Sequence, residues 1–181
     1  MNHHDMTRNM VLAALFAALT AIGAFLQIPT GTVPITLQFL FTALAGLLLG
    51  WKWGAISQLL YVGIGLLGLP VFTQGGGIGY VLQPSFGFLL GLIPAAAVIG
   101  ALTARRTGYL TVLAAVLVGD LILYAVGVPY MYLILHVYMQ SAKTFPALLA
   151  AMLVYVPGDT LKIVVVTALA PVLRRTLAKA V

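Results

Sequence analysis

An aspartate and a lysine stand three positions apart in Val156-Pro157-Gly158-Asp159-Thr160-Leu161-Lys162, with apolar runs on either side. The whole chain has three acidic and nine basic residues among 181, so the pairing is conspicuous. A carboxylate accepts N–H donors such as those of an amide or urea, and an ammonium is a compact charge suited to a carboxylate. On a helix, positions three apart share a face. Pro157 and Gly158 interrupt the helix arriving from the left. Asp159 is therefore expected to be the N-cap of the next helix, with Lys162 in its first turn. Inside a membrane an ionisable side chain costs roughly 2.5–3.5 kcal/mol at the helix centre and less near its ends. A pair kept at that cost reads as part of a site. The alternative is a structural ion pair, with Asp159 merely capping.

The elements that must hold this pair are themselves apolar. The chain is 62% hydrophobic and 7% charged, with a mean hydropathy of +1.13. A soluble domain carries about 25% charged residues, so this chain cannot clothe a water-soluble surface. The reading is an all-α integral membrane protein, a single transmembrane domain over residues 1–181. With about 20 apolar residues per crossing plus connections, the length allows about six helices. A net charge of +6 can signal nucleic acid in a soluble protein. Here the basic residues sit between apolar runs, so no nucleic-acid partner is expected. Cysteine is absent, which excludes disulfides and thiolate metal sites. The first apolar run is read as an uncleaved helix, because further runs of the same character follow it.

In chain order, helices are expected at about 9–27, 35–50, 54–69, 85–104, 109–126 and 159–173. Ile28 to Pro34 is a loop, having two prolines and a glycine. Trp51-Lys52-Trp53 reads as an interfacial anchor. Residues Pro70 to Pro84 are too glycine-rich for a helix and too apolar for a linker. Irregular backbone at membrane depth persists where it lines a cavity, so this loop is expected to fold over a pocket. Neither GxGxxG nor GxxxxGK[ST] can be read from it. Interruptions are expected near Pro129, with a shorter helix from Tyr130 to Met139 after it, and near Pro157. The first helix carries a small-residue face, Ala13, Ala17 and Ala21, beside Ala14 and Ala18. It suits either internal packing or a separate membrane subunit.

Arg8, Lys52, Arg105, Arg106, Arg174, Arg175 and Lys179 fall on one side of a six-span arrangement, and Lys143 on the other. The positive-inside rule makes the crowded side, and both termini, cytoplasmic. The loop around Pro29, the glycine-rich loop and the Pro157 break then meet at the outer face. The substrate-binding set expected there is Gln38, Gly79, Tyr80, Gln83, Phe86, Asp159 and Lys162, with aromatic side chains such as Phe39, Tyr61 and Phe72 as an apolar wall. Asp120 belongs either to this set or to the core. His136 is lone and reads as an interfacial residue.

Five stretches in this order are similar to one known family: Val33-Pro34-Ile35-Thr36-Leu37-Gln38, Leu44-Ala45-Gly46-Leu47-Leu48-Leu49-Gly50, Gly68-Leu69-Pro70-Val71-Phe72, Gly79-Tyr80, and Pro157 to Lys162. Together they resemble the BioY family, the biotin-binding S components of energy-coupling factor (ECF) transporters, from about Met6 to about Pro171. The resemblance implies six transmembrane helices in the plasma membrane and high-affinity capture of biotin from outside. It implies a partner module of a transmembrane coupling subunit, touched by the Ala13–Ala17–Ala21 face, and two ATPases. It also implies a subunit that tips in the bilayer to deliver its ligand. Biotin has a carboxylate for Lys162 and a ureido group for Asp159, and the reverse pairing, ureido oxygen to Lys162, also stays open. Where the family usually reads Gly-Pro-Thr-Gly-Gly-Tyr, this chain has Gln83-Pro84-Ser85-Phe86-Gly87-Phe88. It also carries Asp120, which is not part of the family pattern.

A vitamin-capturing transport subunit is therefore the expected function, biotin first and another vitamin second. An intramembrane enzyme would need a nucleophile, base or metal set, and the sequence has no such set and no cofactor motif. A purely structural subunit leaves the Asp159–Lys162 pair unexplained. No ATP-binding loop is present in the sequence, so active transport must draw on a separate ATPase.

Overall fold

Backbone N–H and C=O groups in lipid must be satisfied within their own segment, which favours helices throughout. The computed structural model describes residues 3–30, 33–106 and 108–179, with side chains between Asp5 and Thr176. Gly31 and Thr32 of the expected first loop, and the side chain of Lys179, lie outside the described residues. The helices are α1 (His3–Phe25), α2 (Gln38–Leu66), α3 (Phe86–Leu102), α4 (Tyr109–Leu133), α5 (Phe145–Ala151) and α6 (Val156–Lys179). Between α1 and α2 two short strands, β1 (Gln27–Ile28) and β2 (Ile35–Thr36), pair antiparallel with Gln27 opposite Thr36. The strands flank the expected loop and take Gln27 from the end of the expected first helix and Ile35–Thr36 from the start of the second.

Helix α2 is two helical limbs joined at a kink at Gly50. Gly50 has φ 78° and ψ 177°, a left-handed position that suits glycine. A Cβ placed on Gly54 would lie 2.8 Å from the Cα of Gly46. Eight residues along a straight helix would be roughly 12 Å apart, so the two limbs of α2 fold back on each other. This is the expected pair of helices joined at Trp51-Lys52-Trp53. The first limb also packs tightly on α3: a Cβ on Gly46 would fall 2.4 Å from the Ala96 carbonyl oxygen. Small residues of this kind let helices approach closely in lipid.

Among the described residues, four helical segments are long and apolar enough to cross a bilayer: Asp5–Phe25, Gln38–Leu66, Tyr109–Tyr138 and Val156–Thr176. Because Gln38–Leu66 doubles back, and α3 is a shorter apolar helix, α1, the two limbs of α2, α3, α4 and α6 make six long segments. Helix α2 packs against α1 and α3, α3 against α4, and α6 lies across α2 and α4. The surface is apolar as well as the core. Leu110 is 77% exposed and Leu121 68%, as befits side chains meeting lipid. Inside, the Gln58 amide joins Thr20 of α1 (3.3 Å) to Ser57 (3.0 Å) and accepts from Thr42 (2.9 Å), tying α1 to both limbs of α2.

Two expectations need correction. The Ala13–Ala17 face of α1 is turned inward, with Ala13 2% and Ala17 5% exposed and Ala21 half-buried. Exposed small residues on α1 are instead Ala14 and Ala18, in a stripe with Val11 and Ile22. The interruption expected at Pro129 comes later. Helix α4 runs through Gly127-Val128-Pro129 and gives way at Leu133, where Ile134–Tyr138 form a wider turn closed by the Met139 N–H on the Ile134 carbonyl (3.0 Å). A proline inside a membrane helix removes one hydrogen bond, and packing neighbours can absorb that loss. Near Pro157 the expected break is present: α5 passes into a tight turn at Met152–Val154 before α6 begins.

Candidate functional site

Three irregular segments meet at one end of the bundle. They are the chain around β2, the glycine-rich loop and the α5–α6 joint, and α3 and α4 complete the wall of the cavity between them. The cavity holds about 620 Å³ of empty space, its mouth included.

Helix α6 starts earlier than expected. Val156 is its first residue and Pro157 sits in its first turn, where a missing N–H costs nothing. The Asp159 N–H donates to the Tyr155 carbonyl (2.9 Å), so Asp159 is not the cap. Its carboxylate is thereby free for other partners. The Lys162 Nζ lies 2.6 Å from Asp159 Oδ1, with the two side chains 9% and 10% exposed. The other carboxylate oxygen accepts from the Tyr124 hydroxyl of α4. Both oxygens are thus engaged, which a buried ion pair requires if its desolvation is to be offset. Lys162 has three N–H donors and spends one on Asp159.

Gln38, the first residue of α2, is buried and bonded at both ends of its amide. Thr36 donates to its oxygen (2.9 Å), and its nitrogen donates to the Tyr61 hydroxyl (2.8 Å), which donates to the Val71 carbonyl (3.1 Å). Tyr80 lines the cavity with its hydroxyl 2.9 Å from Thr73 Oγ1 and 3.4 Å from Ser85 Oγ. Behind it runs a ladder of rings, Tyr61, Phe72, Tyr80, Phe86 and Tyr130, with centroids 4.6–6.4 Å apart. Tyr155 closes one corner by donating to the Val33 carbonyl (2.5 Å) beside Thr30 Oγ1 (2.9 Å). This arrangement presents fixed polar groups in an apolar wall, and its two charged lining residues neutralise each other.

The chain matches the BioY family over residues 1–179. It belongs to that family. It is 54% identical over 141 residues to the probable biotin transporter BioY of Lysinibacillus sphaericus, covering 77% of this chain and 72% of that one. To the biotin transporter BioY of Thermotoga maritima it is 35% identical over 164 residues, 90% of this chain and 94% of the relative. Its fold is similar to the crystal structure of the S-component for biotin from an ECF-type ABC transporter. The TM-score is 0.85 at 29% identity, covering 97% of this chain and 95% of that one.

In this BioY member the expected site residues divide. Gln38, Tyr80, Asp159 and Lys162 come together on the cavity. Gln83, Phe86 and Gly79 do not line it. The tight turn Ile78–Leu82 directs Tyr80 inward and leaves Gly79 exposed at its tip. Phe86 lies behind Tyr80 in the core, and Gln83 is half-buried beyond the turn. Asp120 also stays outside the lining; its Oδ1 is buried with no hydrogen-bond partner among the described residues. His136 is exposed and stacked on Tyr132 at 5.3 Å. Tyr124, Tyr155 and Ser85 also line the cavity, outside the expected set. For Tyr124 a signal existed, since Asp120 and Tyr124 stand four apart and make a polar stripe on an apolar helix.

Proposed function

We propose that this chain is the substrate-capturing subunit for biotin in an ECF-type uptake transporter of the plasma membrane. Family membership and the relatives' activity support the assignment, and the neutral, buried Asp159–Lys162 pair carries the chemistry. A ligand carboxylate on Lys162 would put two carboxylates against one buried ammonium and leave net negative charge in the cavity. A urea is neutral, with a carbonyl oxygen for Lys162 and N–H groups for Asp159. The ureido end of biotin therefore meets the ion pair. Its carboxylate end lies toward the hydroxyls of Thr73, Tyr80 and Ser85.

Biotin enters from outside, both termini are cytoplasmic, and a coupling subunit with two ATPases drives release inward. The coupling subunit docks on the exposed Val11–Ala14–Ala18–Ile22 stripe of α1. The test is calorimetry of the purified chain with biotin, riboflavin and thiamine, paired with uptake by the complete transporter. Biotin binding alone, retained when Ala14 and Ala18 become leucine while uptake stops, is the expected result. Tight binding of another vitamin and not biotin would overturn the ligand. Unimpaired uptake would move the docking face.

A further inference from the structure

The bundle has a second opening, at the far end of the same helices. Arg8 of α1, Gly50 and Trp51 at the α2 hairpin, Gly100 and Thr103 at the end of α3, and Arg174 of α6 line it. It is a wide cleft of about 840 Å³, its mouth included. Arg174 Nη2 donates to the Leu47 carbonyl (2.8 Å), and its guanidinium also reaches the Thr103 carbonyl (3.4 Å). These carbonyls aim the guanidinium and satisfy some of its five N–H groups, but they do not neutralise it. No carboxylate lines the cleft, and neither arginine makes an ion pair among the described residues. Two uncompensated guanidinium groups around a concavity attract an anion, and their planar forks match a phosphate.

The walls are amphipathic. Leu48 and Leu49 line the cleft beside the arginines, and Trp51 is 60% exposed next to the exposed Lys52. Exposed indole and lysine side chains mark the water boundary of a bilayer. The basic residues gathered at this end place it, by the positive-inside rule, at the anionic cytoplasmic leaflet. We propose that this cleft is a binding site for the phosphate headgroup of an anionic membrane lipid. Arg8 and Arg174 hold the phosphate, and Leu48, Leu49 and Trp51 meet the apolar part. Free inorganic phosphate shares the charge but has nothing to offer those apolar walls.

The experiment is native mass spectrometry of the detergent-solubilised chain titrated with dioleoylphosphatidylglycerol, dioleoylphosphatidylcholine or inorganic phosphate. With two arginines acting, each worth about 1 kcal/mol, phosphatidylglycerol should bind about 30-fold tighter than phosphatidylcholine. In Arg8→Gln the preference should shrink to about fivefold. Arg174→Lys, which keeps the charge and loses the fork, should weaken it as well, with thermal unfolding confirming that both variants stay folded. Lys52→Gln, outside the cleft, should leave it unchanged. Equal binding of the two lipids would overturn the proposal. So would a preference that survives in both arginine variants or falls as far in Lys52→Gln. Displacement of phosphatidylglycerol by inorganic phosphate alone would reassign the cleft to a free anion and reject the lipid.

Discussion

The cavity and the cleft are built by the same helices and behave as opposites. The first limb of α2 gives Gln38 and Phe39 to one and Leu47 to Gly50 to the other. Helix α6 gives Asp159 and Lys162 to one and Arg174 to the other, while α3 reaches both. The cavity has its charges paired and its polar groups bonded to one another. The cleft has two arginines and, among the described residues, no acid. In an apolar bundle, specificity follows from where the few acids fall. On the proposed reading, one aspartate beside one lysine makes a neutral recognition point, and two arginines with no acid among the described lining residues make an anion seat. Each end thus suits a different class of ligand, one neutral at its recognised end and one charged.

The comparison can be broken most severely at Lys162. Truncation leaves the Asp159 carboxylate buried without its cation, which costs about 3–5 kcal/mol where a buried pair is broken. Lys162→Ala should weaken biotin binding by about 100-fold or more, whereas Arg8→Gln, at the other end, should change it less than about twofold. Calorimetry in detergent checks both. Similar losses in the two variants would show that the ends are not independent.

A smaller effect sharpens the same contrast. Tyr124→Phe removes one hydrogen bond to a charged group, an interaction of about 1.5–3 kcal/mol, so biotin affinity should drop about tenfold. The fold should persist, because the Asp159–Lys162 contact remains. An affinity equal to that of the unaltered chain would mean that Asp159 is positioned without help from α4.

The site was more legible than the packing around it, for a physical reason. An ionisable pair in an apolar chain stands out, as do glycine- and proline-rich segments that cannot be helical, so Asp159, Lys162 and the three converging segments could be read directly. The buried side of α1 could not. In lipid both faces of a helix are apolar, so Ala13 and Ala14 look alike in sequence although one is buried and the other exposed. Pro129 misled because a proline that would break a helix in water is tolerated in a packed membrane helix. Asp159 is not the cap because Pro157, in a first turn, starts the helix instead of breaking it. Gln83 and Phe86 were grouped with Tyr80 by proximity in sequence. The tight turn at Ile78–Leu82, which decides their directions, has no periodicity to announce it.

On the proposed function, the ion pair recognises the neutral ureido end of biotin. The most direct measurement is a structure of the chain with biotin bound. The account predicts the ureido oxygen within hydrogen-bond distance of Lys162 Nζ and a ureido N–H directed at Asp159. A biotin carboxylate resting on Lys162, or biotin bound away from both residues, would contradict it.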